Sequence, residues 1–151
     1  MSRVQRGIFA FTVLLLVIGG VGSVLAKEGL QQDENGNFIL YVSNQTDAVD
    51  PVDIKIYIDG KKAVDQDFYF GSYPDEIPAH NWQKFQFSLL KGSHQLRVES
   101  DKGSARLEKE FEIKDRHWAV IDYWYSPVES KDGLRPRQFT FEIKDKPFSF
   151  Y

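Results

Sequence analysis

Apolar and polar residues alternate one by one through most of this chain. The clearest run is Val52–Ile58 (VDIKIYI), and similar runs occupy residues 84–89, 95–99, 106–113 and 138–144. A period of two places successive side chains on opposite sides of a β-strand, so each run predicts a strand with one buried and one solvated face. Such strands are typical of antiparallel sheets, because strands of a parallel sheet are usually buried on both faces. The alternation therefore predicts an all-β protein of antiparallel strands.

Glycine-containing pairs separate these runs at short intervals. They are Asp59-Gly60, Lys91-Gly92, Lys102-Gly103 and Asp132-Gly133. Each supplies a residue that accepts a positive φ at low cost, as a tight turn requires. With weaker strands at residues 38–42 and 64–70, the chain has about eight short strands, a number and spacing typical of a sandwich or barrel. Two facing sheets give every apolar face a partner, so we expect a single Ig-like antiparallel β-sandwich over residues 37–151.

The first 26 residues have the organisation of a secretory signal peptide. Arg3 and Arg6 precede the uncharged stretch 7–26, which is most apolar at its centre and ends in small residues. The alternative is an uncleaved membrane anchor, because the stretch approaches the ~20 residues that span a bilayer. Both predict a domain outside the cytoplasm, either secreted or periplasmic in the first case and tethered in the second. Residues 27–36 are polar, and we expect them to form a short flexible lead.

The composition excludes several classes of protein. The chain has no cysteine, so it holds no disulfide, thiolate metal site or thiol nucleophile. Its 19 basic and 22 acidic residues give a net charge of −3, which argues against a general nucleic-acid binder. An exported domain without disulfides depends on its core, and the aromatic content of 15% supplies large side chains for burial.

Two segments resemble a known class of module. Residues 56–62 (IYIDGKK) and 87–100 (FSLLKGSHQLRVES) resemble small extracytoplasmic Ig-like and PEGA-type modules, in which a strand ending in a DG turn is followed by a glycine turn and a G-x-H-x-L strand. Here Gly92, His94 and Leu96 occupy the second motif. The resemblance covers roughly residues 52–113. It implies a β-sandwich that serves as an accessory, adhesive or spacer domain rather than a catalyst.

The segment most informative about function is residues 117–125 (HWAVIDYWY), whose two faces are both largely apolar. Asp122 marks the outward face, because an unpaired buried carboxylate is costly. Trp118 and Trp124 share that face, and with Asp122 they form a candidate surface for stacking sugar rings or contacting a protein. The alternative is that the C-terminal aromatic residues 148–151 (FSFY) pack over the tryptophans, which would favour a structural role.

A second candidate surface comprises His80, Asn81 and Trp82, at the end of a long proline-containing loop where binding residues often lie. The histidines of the chain are His80, His94 and His117. They are weak candidates for a catalytic metal site, because none has the spacing of a ligand motif. We expect no cofactor.

The sequence contains neither a G-x-S-x-G nucleophile motif nor a phosphate-binding G-x-x-x-x-G-K-[ST] motif. We therefore expect a non-catalytic binding or interaction module, with an unidentified protein or carbohydrate at the cell surface as its partner. We expect no nucleic-acid partner, and membrane contact only through an uncleaved N-terminal segment. The alternatives are a structural or assembly domain, for example through strand addition at an open sheet edge, and a metal-dependent hydrolase. Residues 44–46 (NQT) match the N-glycosylation pattern.

Overall fold

A computed structural model describes residues 29–71, 82–130 and 133–150, and the predicted signal peptide lies outside these ranges. Within them the chain forms eight strands and no helix. The strands are β1 (Phe38–Asn44), β2 (Val52–Ile58), β3 (Lys61–Phe68), β4 (Gln83–Phe87), β5 (Gly92–Ser100), β6 (Ala105–Ile113), β7 (His117–Ser130) and β8 (Gly133–Lys144). The prediction of an all-β chain is confirmed. No segment of the described chain is a helix long and apolar enough to cross a bilayer.

The strands form two four-stranded sheets. Sheet A has the order β4-β1-β7-β8, and sheet B has the order β3-β2-β5-β6. All neighbours are antiparallel except β1 and β7, which run parallel with Phe38 beside His117 and Asn44 beside Tyr123. The prediction of purely antiparallel pairing is therefore wrong at the centre of sheet A. Along β1 only Tyr41 is not buried, as expected for a parallel strand covered on both faces.

The core lies between the two sheets. Along β2 the apolar side chains alternate inward, and all of them are buried in the main core cluster. Each fully buried side chain of this size stabilises the fold by about 1.5–3 kcal/mol. Tyr123 is the largest of the fully buried side chains, and its hydroxyl donates a hydrogen bond to the carbonyl oxygen of Gly103 (2.8 Å). A Cβ at Gly103 would lie 2.8 Å from the Tyr123 ring, so this close approach requires glycine.

The polar residues that precede β1 lie against the sandwich. The backbone nitrogen of Leu30 donates to the carbonyl of Lys62 (2.7 Å), and that of Asp33 donates to the carbonyl of Gln86 (2.9 Å). The Leu30 side chain packs against the core. The part of the predicted lead that the structure describes therefore makes defined contacts with both sheets. We call the end of the sandwich where Phe38 lies, and where this segment enters, the entry end; the opposite end, where Asn44 lies, is the far end.

His94 fastens the entry end. Its Nδ1 lies 2.6 Å from Asp59 Oδ2, and its Nε2 lies 2.7 Å from the carbonyl oxygen of Leu90. Both partners are acceptors, so both ring nitrogens donate and the imidazole is charged. Burial alone would lower the pKa of His94, but the Asp59 and Leu90 hydrogen bonds raise it above its ordinary value. The DG turn and the G-x-H-x-L strand noted in the sequence thus contact each other through Asp59 and His94.

Candidate functional site

The outer face of β7 carries the first candidate surface. Ala119, Ile121 and Tyr123 are fully buried in the core. Trp118 and Trp124, with Asp122 between them, alternate with these residues and therefore lie on the other face, where all three are partly buried.

The carboxylate of Asp122 is already hydrogen-bonded to other side chains of this protein. Its Oδ1 accepts hydrogen bonds from Ser43 Oγ (2.6 Å) and Trp82 Nε1 (2.8 Å). Burial raises the pKa of Asp122, and the two hydrogen bonds only partly offset that effect. The structure therefore brings Trp82 of the second predicted surface onto Asp122 of the first. His80 and Asn81 lie outside the described residues.

The C-terminal segment packs on Trp82. The Phe150 ring stacks on Trp82 with ring centroids 4.5 Å apart, and it meets Tyr41 edge-on at 4.9 Å. Phe148 packs beside Phe150 at 6.0 Å. Within the described chain, the ring contacts of Phe150 are thus to Trp82, Tyr41 and Phe148 rather than to the two tryptophans of β7. The C-terminal aromatic residues were expected to cover Trp118 and Trp124, whereas in the described residues Phe150 stacks on Trp82 instead.

Trp124 lies away from this cover, at the far end of the sandwich. β1 ends opposite Tyr123, whereas β7 continues to Ser130. Beyond that point, within the described residues, β7 pairs with β8 alone, and the two strands form an arm that extends past the end of β1. The register shifts between Trp124 and Ser126, at the base of the arm. Such a bulge bends a strand locally and redirects its side chains.

A groove of about 360 Å³ lies at the base of the arm. Phe70, Trp124 and Tyr125 supply its aromatic walls, and its polar lining includes Asp47 and Arg135. Phe70 is 42% exposed although it is a large apolar residue. The groove therefore has the composition of a ligand site, with flat apolar surfaces and a few polar groups. Of the predicted site residues, Trp124 alone among those described contributes to this lining.

Two arginines of β8 hold the aromatic rings. The guanidinium of Arg135 lies 4.5 Å from the Trp124 ring centroid, and that of Arg137 lies 4.2 Å from the Tyr125 ring centroid. Arg137 Nη1 also donates to the carbonyl of Lys102 (3.3 Å). Each stacked cation of this kind contributes about 0.5–1 kcal/mol at an exposed site. The rings are thus oriented by the fold before any ligand binds.

Asn44 holds the loop on the other side of the groove. Its Nδ2 donates to the carbonyls of Val49 (2.8 Å) and Phe68 (3.3 Å), and its Oδ1 accepts from the backbone nitrogen of Thr46 (3.1 Å). Asn44 is 0% exposed, so the matching glycosylation pattern is not an acceptor site in the folded chain. An asparagine at the start of a loop is the sequence signal for such a contact, because its side chain can hydrogen-bond the backbone two residues further on.

The described histidines do not form a metal site. Both ring nitrogens of His94 are engaged, and His117 Nδ1 lies 3.4 Å from the carbonyl oxygen of Asp115. No cluster of three or more metal-ligating side chains occurs within the described ranges. The third member of the predicted set, His80, lies outside them.

No protein-family model matches this chain, and no curated protein matches it. The resemblance to Ig-like and PEGA-type modules therefore rests on the motif residues alone. The function has to be argued from the chemistry of the site, because a sandwich fold hosts many unrelated activities.

Proposed function

We propose that this chain is an exported, Ig-like, non-catalytic binding module whose contact surface is the groove at the far end. The observation that carries the proposal is a preformed groove in which Phe70, Trp124 and Tyr125 are held at the surface with Arg135 beside them. Exposed aromatic residues in a concave site usually mark binding, because water leaves such surfaces at a gain in free energy.

The position of the groove supports display to an external partner. The N-terminal segment enters beside Lys62 and Gln86, towards the entry end. β1 then runs seven residues to the far end, which spans about 20 Å at ~3.3 Å per residue. A tether or anchor in residues 1–26 would therefore leave the groove and the arm directed away from the membrane.

The lining of the groove favours binding over catalysis. Asp47 is its carboxylate, whereas glycoside hydrolysis generally uses two carboxylates on opposite sides of the bond. We assign Asp122 a structural role, since its hydrogen bonds go to Ser43 and Trp82, and Trp82 is itself stacked by Phe150.

The structural alternative remains a second candidate function because of one observation. Phe150 packs on Trp82 and Trp82 binds Asp122, so part of the predicted contact surface serves the fold itself. A chain with only this role would show no dependence on the groove in the experiment below.

The test uses the exported protein in the form the cell makes it, purified in mild detergent and fluorescently labelled. Retention on isolated envelope fragments of the producing organism is measured by sedimentation, and the mass of the N-terminal peptide shows whether residues 1–26 are removed. We expect retention of the wild-type protein and a loss of at least about fivefold for Phe70→Ala, a change near 1 kcal/mol. Leu90→Ala is the matched control, because Leu90 is 84% exposed and lies outside the groove lining. Equal retention of the two variants would overturn the proposal.

A further inference from the structure

The walls of the groove present flat apolar rings carried by anchored backbone. The backbone nitrogen of Phe70 donates to Asp50 Oδ1 (2.9 Å), and Phe70 forms a β-bridge with Asn44. Trp124 is held under Arg135. Flat apolar surfaces of this size suit ligands that have a flat apolar face of their own, such as the C–H face of a pyranose ring.

The polar groups of the groove carry opposite charges that do not neutralise each other. Asp47 and Arg135 line the same groove, and neither side chain forms an ion pair within the described chain. The carboxylate accepts hydrogen bonds only, and the guanidinium donates only. Asp47 would repel an anionic ligand and Arg135 would repel a cationic one, because like charges in contact are costly. A hydroxyl group both donates and accepts, so a neutral polyhydroxylated ligand satisfies both side chains.

The groove is also preorganised and of suitable size. Asn44 fixes the loop that carries Thr46 and Asp47, as described above. The Thr46 hydroxyl accepts a hydrogen bond from the backbone nitrogen of Ala48 (3.1 Å), a further contact within this loop. The volume of about 360 Å³ falls within the ~300–1,000 Å³ of small-molecule sites. Binding to such a site loses little free energy to the ordering of side chains.

From these observations we infer that the groove binds a neutral saccharide. A sugar ring stacks on Phe70 or Trp124, its hydroxyls donate to Asp47, and its oxygens accept from Arg135. This inference rests on the proposed function and adds the chemical class of the ligand. The competing occupant is a peptide segment of a partner protein, and the experiment separates the two.

The experiment titrates the full chain with defined probes and follows intrinsic tryptophan fluorescence and calorimetric heat. The probes are neutral gluco-, xylo-, manno- and chito-oligosaccharides, an oligogalacturonide and poly-glutamate. We expect saturable binding of at least one neutral oligosaccharide and weaker binding of both anionic probes. Phe70→Ala and Trp124→Ala should each weaken binding about tenfold, equivalent to 1.4 kcal/mol. Leu90→Ala should bind as the wild type does, and thermal melts identify any variant that fails to fold.

Asp47→Asn supplies a second criterion. The amide oxygen still accepts a hydrogen bond, so affinity for the neutral sugar should fall by no more than a few-fold while the binding of oligogalacturonide strengthens. Binding of the anionic probes alone, equal binding by Phe70→Ala and wild type, or no neutral sugar bound would each overturn the inference. Envelope fragments distinguish failure of this inference from failure of the proposed function. If retention is lost when the fragments are treated with protease but survives periodate oxidation of their sugars, the partner is a protein. The groove then remains a binding surface, and only the saccharide inference fails.

Discussion

The two ends of this sandwich are built from the same alternating strands but are finished in opposite ways. At the entry end, a charged histidine is enclosed between Asp59 and Leu90 and stacks on Phe111 with centroids 5.5 Å apart. At the far end, a buried amide and two arginines hold aromatic rings at the surface around a groove. Polar residues close the fold in the first case and shape an opening in the second. Strand pattern determines the sheets, whereas a few polar side chains determine which end is available for binding.

The largest effect on stability should come from Asn44→Ala at the far end. The change removes three hydrogen bonds and leaves the carbonyls of Val49 and Phe68 and the nitrogen of Thr46 without their partner. Unsatisfied buried groups cost about 1–3 kcal/mol each, and relaxation of the loop reduces the sum, so we expect a loss of about 2–4 kcal/mol in the free energy of unfolding. Urea denaturation measures it. Thr46→Ala keeps the Asn44 amide and is the matched control; a loss below ~1 kcal/mol for Asn44→Ala would show that the loop is not held by this residue.

Gly103→Ala should have the next largest effect. The added Cβ would lie 2.7 Å from Ser100 Oγ and 2.8 Å from the Tyr123 ring. Overpacking of this kind costs about 1–3 kcal/mol, and the Tyr123 ring must move because the turn backbone is rigid. Combining the change with Tyr123→Leu, which removes the ring that clashes, should reduce the penalty of the glycine substitution. An equal penalty in both backgrounds would place the strain elsewhere in the turn.

The pH dependence of stability should distinguish the entry end. Because the pKa of His94 is raised, its pairing stabilises the fold fully below the ordinary histidine pKa and is lost as pH rises through the folded value. Burial raises the pKa of Asp59, but hydrogen bonds from Gln95 and His94 outweigh it, so the net shift is downward and the contribution of Asp59 is lost as pH falls through its folded value. The pairing of His94 with Asp59 therefore stabilises the fold most in the weakly acidic range, between the folded pKa of Asp59 and that of His94.

We expect His94→Gln to flatten the decline in unfolding free energy as pH rises above the ordinary histidine pKa, by about 1 kcal/mol because Asp59 is half exposed. The pKa of Asp122 is also raised, so the contribution of Asp122 to the free energy of unfolding likewise decreases as pH rises. The difference between wild type and His94→Gln isolates the histidine, since Asp122 is unchanged in both proteins. Parallel pH profiles for the two proteins would mean that His94 is not charged in the fold.

Sequence alternation predicted the sheets because burial of one strand face leaves a period of two in the residues. The antiparallel direction that it also predicted is wrong for β1 and β7, because a strand shows the same period whether its neighbour is parallel or antiparallel. Ile39 and Ser43 are buried on the outer face of β1, and burial on both faces is typical of a strand in a parallel pair. A run such as FILYVSN, apolar at consecutive positions, carries that signal only weakly.

The groove was only partly predictable because its residues come from four separate parts of the chain. Trp124 was predicted from the unusual aromatic strand, but Phe70 follows β3, Asp47 follows β1 and Arg135 belongs to β8. None of these three residues belongs to a motif, and only the pairing of strands places them together. Trp82 and Asp122 were both predicted to contact a partner, but in the structure they contact each other.

The smallest effect on stability, and the sharpest separation of the two ends, should come from Arg135→Ala. Its side chain stacks on Trp124 but makes no ion pair within the described chain, so its removal should cost no more than about 0.5–1 kcal/mol. The Trp124 ring should nevertheless lose its fixed orientation, which near-ultraviolet circular dichroism and fluorescence anisotropy detect. Arg106→Ala is the control, because Arg106 is an exposed arginine on sheet B that pairs with Glu108. If both substitutions leave the aromatic signal unchanged, Trp124 is oriented by the strands alone, and the far end owes its groove to the register shift between β7 and β8 rather than to the arginine beside it.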